Sequence, residues 1–117
     1  MGDRSRIIVK SESFANPIHL YGHWAGTDNL SAVATVLSKT DRVGDPSYLT
    51  AQLFYEFAVF QNSYDGTLGF GISVVNDDNG EYDDNSPIII FADNGDVAYQ
   101  DYFYTKEEFL EKFGVSV

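Results

Sequence analysis

Both histidines and the only tryptophan of this chain fall within His19–Gly26, which reads HLYGHWAG. Imidazole exchanges protons near neutral pH and is a common metal ligand, so the segment raises base catalysis and metal binding together. Pro17 to His23 has strand character, and strand side chains alternate between faces. Ile18, Leu20 and Trp24 then share one face, read as core. His19, Tyr21 and His23 share the other, a polar aromatic stripe. On an extended strand the two histidines stand roughly 13 Å apart. One zinc ion, with bonds near ~2 Å, cannot hold both. The spacing is also not that of a helical H-E-x-x-H motif, and no metal or cofactor is expected.

A second strand complements the first. In Leu68–Val75, Leu68, Phe70, Ile72 and Val74 form an apolar face, while Gly69, Gly71 and Ser73 form a nearly bare one. If the two strands are neighbours, the bare face beside the His-Tyr-His face makes a shallow groove, because glycine inside a strand often marks close approach. The binding candidates are therefore His19, Tyr21, His23, Gly69, Gly71 and Ser73. The plainer alternative makes His19 a half-buried strand residue and has the glycines relieve a twist or bulge.

Other chemistries find less support. A nucleophile needs a base oriented by a third group. Ser73 stands in no nucleophile elbow, and no catalytic residue is assigned. The loop Asn76–Ser86 carries Asp77, Asp78, Glu81, Asp83 and Asp84. Read as an EF-hand around Gly80, it would need an oxygen ligand where Val75 stands. No phosphate cradle is present. The absence of cysteine removes disulfides and thiolate chemistry.

Charge narrows the partner. The net charge is −11. Residues 1–42 hold five basic and four acidic groups, and residues 43–117 hold two basic and fourteen acidic groups. Nucleic-acid backbones and anionic membranes both require cations, so neither is an expected partner. A basic protein steered by Asp77, Asp78, Glu81, Asp83 and Asp84 fits better. No apolar run reaches the ~20 residues of a membrane span. The N-terminus is read as neither a signal peptide nor a myristoylation site.

The elements around these residues follow from periodicity. Arg6–Lys10 is the first strand and Pro17–His23 the second. Leu30, Val33, Ala34 and Leu37 make one helical stripe ending near Lys39–Thr40. Asp45-Pro46 caps a second helix. Its apolar residues, Leu49, Leu53, Phe57 and Phe60, with only Glu56 charged between Tyr48 and Phe60, imply deep burial. Pro87–Phe91, PIIIF, is the most apolar strand and should be central. Asn94-Gly95 is a hairpin signal. Val97–Tyr104 is read as one last strand with Tyr99 off the core, its edge open to homodimer pairing. Thr105 and Glu108 form a capping box for a short helix ending at Gly114. Residues 1–117 thus read as one α+β domain: a mainly antiparallel sheet of about five strands, two central helices and a C-terminal helix, in the order ββααβββα.

IHLYGHWAGTDN followed by DPSYLTAQLFYEF resembles a pattern in small proteins of bacteriophages infecting actinobacteria, through Tyr21, His23, Trp24, Gly26, Asp45, Tyr48 and Leu49. GFGIS, Gly69 to Ser73, is similar as well. The resemblance spans roughly residues 18–75 and transfers no catalytic residue. It implies an accessory protein acting in the host cytoplasm on a host protein. The sequence-level expectation is therefore a non-enzymatic protein-binding domain. The alternatives are a small-ligand binder on the His19/Tyr21/His23 face, and a small enzyme using His19 or His23 as base. Because Trp24 falls on the core side, Trp24→Ala is expected to cost about 3–5 kcal/mol, read as loss of cooperative thermal unfolding.

Overall fold

The computed structural model describes residues 4–22, 28–60, 70–74 and 85–114. These form β1 (Ser5–Lys10), β2 (Ile18–Gly22), α1 (Asp28–Lys39), α2 (Pro46–Phe60), β3 (Phe70–Val74), β4 (Ile88–Phe91), β5 (Asp96–Tyr99), β6 (Tyr102–Tyr104) and α3 (Lys106–Phe113). The domain is α+β, and its sheet order is β3-β2-β1-β4-β5-β6. Every pair is antiparallel except β1 with β4.

Alternation decides the two faces. One row of paired residues crosses all six strands on the helix side: Val74, Ile18, Val9, Ile90, Val97 and Tyr104. Val9, Ile90 and Val97 are fully buried there under the helices. α1 touches α2, α3 and β1. A helix flanked on both sides and floored by a sheet needs a wide apolar stripe. Ala32 and Val36 are accordingly buried beside the expected Val33, Ala34 and Leu37. Each fully buried aliphatic side chain stabilises the fold by roughly 1.5–3 kcal/mol.

Local signals set the boundaries. α2 opens with Pro46 at its first position, where a missing N–H is harmless, and Leu49 N–H donates to the Asp45 carbonyl at 2.9 Å. The β4–β5 turn needs Gly95, whose φ is +83°. α3 has its capping box: Thr105 Oγ1 accepts from Glu108 N–H at 3.2 Å, and Glu108 Oε1 accepts from Thr105 N–H at 2.9 Å. A side chain at Gly114 would collide with the Leu110 carbonyl, to which the Gly114 N–H donates at 2.8 Å.

Three expectations are corrected. The last strand is two strands, giving ββααββββα, because Gln100 and Asp101 take φ of 51° and 68° and turn the chain back. Only Tyr102–Tyr104 then lies at the edge expected of Val97–Tyr104, and β5 is internal. Tyr99 is core, since it stands two residues from Val97 on the same face and packs edge-on against Phe113, with ring centroids 5.9 Å apart. α2 buries only one side. Leu49, Leu53 and Phe57 are inaccessible, while Tyr48, Tyr55 and Val59 are exposed, because α2 leans on α1 along one side. Trp24 lies outside the described residues.

Two positive φ values in sequence are those of a type I′ turn, which favours Asn-Gly. Gln100→Asn/Asp101→Gly is therefore expected to raise stability by about 1 kcal/mol, measured as a higher midpoint in urea unfolding with unchanged slope.

Candidate functional site

β2 and β3 are neighbours, as the groove required. His19 pairs with Ser73, and Tyr21 with Gly71. All four residues lie on the sheet face turned away from the helices. On the other side of β2, Arg6 pairs with Tyr21 and Ile8 with His19. This face is partly closed, since Ile8 and His19 are both fully buried.

Arg6 organises the stripe. Its guanidinium carbon lies 5.1 Å from the Tyr21 ring centroid, a cation–π stack worth roughly 0.5–1 kcal/mol at a partly exposed site. Its Nη1 also donates to His19 Nδ1 at 2.9 Å. A guanidinium has no acceptor, so Nδ1 accepts and the ring proton resides on Nε2. In a catalytic triad the orienting hydrogen bond runs the other way, from Nδ1–H to a carboxylate. His19 Nδ1 is thus engaged by the cation that also stacks on Tyr21.

The opposite wall is small. An added Cβ at Gly71 meets nothing within 4 Å, and Ser73 is exposed. Gly71 therefore marks open space over the strand, and the close backbone approach expected there is not found. His23, Gly69 and the acidic residues Asp77, Asp78, Glu81, Asp83 and Asp84 lie outside the described residues. What the structure brings together is His19, Tyr21, Gly71 and Ser73, with Arg6 added.

Sequence reasoning missed Arg6. Its signal was the alternation of β1, which puts Arg6 and Ile8 on one face, but pairing of β1 with β2 is needed before Arg6 meets Tyr21. Among the described residues, further grooves lie elsewhere. One of about 310 Å³ runs between α1 and α2, lined by Val36, Lys39, Gln52 and Tyr55 among others. One of about 420 Å³ lies over Pro87, Ile89, Ala98 and Phe103, and one of about 440 Å³ lies by Lys10, Phe91 and Asp93. In the last, donation from Glu12 N–H and Ser11 Oγ–H holds the Asp93 carboxyl below the ordinary aspartate value. Among the described residues no group of three or more His, Asp or Glu side chains is placed to hold a metal ion. None of their helices is long and apolar enough to cross a membrane.

Because His19 is inaccessible and bonded to Arg6, His19→Ala is expected to cost about 2–4 kcal/mol through the cavity and the lost hydrogen bond. A surface histidine would cost within about 0.5 kcal/mol. Thermal unfolding by circular dichroism separates these outcomes. Set against protein-family models, curated proteins and solved structures, the chain matches no family model, no curated protein and no solved structure.

Proposed function

We propose that this chain is a non-enzymatic binding protein whose protein partner docks over Tyr21, Gly71 and Ser73. The observation that carries this reading is the register of β2 against β3. It stands an Arg6-backed tyrosine beside a strand stripe with almost no side-chain bulk. Tyrosine with arginine is the pairing that anchors many protein interfaces. Among the described residues the stripe lies at the outer strand of the sheet and is open on one side, which suits a protein surface better than an enclosed small molecule.

His19 enters this reading as the residue that fixes Arg6, not as a contact. The acidic residues Asp77, Asp78, Glu81, Asp83 and Asp84 steer a basic partner by their field, which speeds encounter at low salt. The phage resemblance adds that the partner is a host protein and the location the host cytoplasm. The Arg6–His19 bond argues against histidine base catalysis at Nδ1.

Gly71→Val tests the reading with little risk to folding. The position has room, and a β-branched residue suits a strand better than glycine does. The variant is expected to unfold at or above the wild-type temperature yet to lose at least tenfold in partner capture from bacterial lysate. Tyr21→Ala should lose capture as well. Capture of the same protein by both folded variants at wild-type levels overturns the proposal.

A further inference from the structure

Several aromatic rings of this chain carry one of its own cations. Arg6 lies over Tyr21, Lys10 over Phe91, Arg42 over Tyr48 and Lys112 over Tyr102, at 5.1, 5.8, 4.6 and 5.7 Å from the ring centroids. All seven lysines and arginines are among the described residues, and none of them lies over Phe103. That ring leans on Phe91, with centroids 5.6 Å apart, and is 62% exposed. Phe103 lines the groove of about 420 Å³ over β4, β5 and β6. The register sets Ile89, Ala98 and Phe103 in one row across these strands, on the face turned away from the helices.

Among the described residues the lining of this groove holds one charge. Asp101 stands there beside Gln100, and among the described residues its carboxylate makes no ion pair and no hydrogen bond. Both residues take left-handed backbone, with φ of 51° and 68°. Aspartate tolerates such angles where its side chain bonds the nearby backbone, and here neither side chain does so. An Asn-Gly pair would close the same hairpin with less strain. Strain kept without a local return collects at functional sites. What this pair adds to the hairpin is an uncompensated carboxylate lining an apolar groove.

We propose that this groove takes an arginine side chain of a partner protein, its methylene stem along Ile89 and Ala98 and its guanidinium against the Phe103 ring and the Asp101 carboxylate. Charge complementarity selects that occupant. Among the described residues the lining holds one anion and no cation, and residues 43–117 hold fourteen acidic groups against two basic. An arginine stem suits apolar walls. Its planar fork stacks on an aromatic face and pairs with a polar group at once, as Arg6 stacks on Tyr21 and bonds His19 on the same face of this sheet. A lysine ammonium does one or the other. The groove lies across the sheet from Tyr21, Gly71 and Ser73, and the proposal does not rest on docking there.

Titration of the isotope-labelled full chain with the capped peptide acetyl-Gly-Arg-Gly-amide, carried into the millimolar range and followed by amide chemical shifts, tests this. The expected result is saturable shifts centred on Ala98, Gln100, Asp101 and Phe103. The same peptide with citrulline for arginine, alike in shape and uncharged, should bind about tenfold more weakly, and the lysine peptide should bind more weakly than the arginine one. Asn suits left-handed backbone, so Asp101→Asn should unfold at or above the wild-type temperature while losing about threefold in affinity. Phe103→Leu should lose the preference for arginine over lysine. Absence of shifts at the hairpin, equal binding of the citrulline or lysine peptide, or a folded Asp101→Asn variant that binds at wild-type strength would overturn the proposal. Gly71→Val leaves this groove intact and should bind the arginine peptide as wild type does. Failure of docking at Tyr21 and failure of arginine binding here are thus read separately.

Discussion

The parallel pairing of β1 with β4 is the constraint on which the rest of the structure depends. It joins Ile7 to Ile88 and Val9 to Ile90 at the centre of the sheet, and all four side chains are buried. Strands buried this way need both edges hydrogen-bonded, because an unmet backbone group away from water is costly. β2 and β5 meet that need on the outer sides. Asn85 reinforces the join, donating from both its backbone and its side chain to the Arg4 carbonyl. Ser11 Oγ does the same at the other end through Asp93, at 2.7 Å. With the centre fixed, α1 sits over β1, α3 over β5 and β6, and α2 against α1.

Features written in neighbouring residues were legible before the fold was known. The Asp45-Pro46 helix start, the Thr105/Glu108 box, the Asn94-Gly95 turn and the central PIIIF strand depend on a few adjacent side chains. The Gln100-Asp101 turn escaped because neither residue is one that left-handed backbone favours most. Alternation put His19 and Tyr21 on one face and Gly71 and Ser73 on another strand's bare side. It reports direction and not depth, so the full burial of His19 was out of reach, as was its bond to Arg6. α2 misled for a similar reason. An apolar composition shows that a helix has something to bury, and only the placement of its neighbours shows that Tyr55 and Val59 stay outside.

Arg6 illustrates how one side chain ties two strands together on a sheet face. Its planar fork offers a face to Tyr21 and an edge to His19 at once, which a lysine ammonium cannot do. The aromatic pair on β2 is thereby locked to β1, the strand most firmly anchored in the core. Tyr21 presents a rigid ring next to the open strip at Gly71. For the docking proposed above, little ordering entropy would then remain to be lost, which is a condition for useful affinity from a small contact.

The order in which the chain is made gives the β1–β4 pairing a second meaning. Ile7 and Ile88 are joined across most of the chain's length, so β1 leaves the ribosome long before its central neighbour exists. During that interval Ile7, Ile8 and Val9 have only β2 beside them, and closing so long a loop is slow. The β5–β6–α3 unit is the reverse case: its contacts are local, it arrives last and it can form at once. Folding of this protein is therefore gated by translation of β4. A nascent chain stalled before residue 88 holds the apolar centre of β1 unpaired on one side, in the form most open to chaperones and proteases.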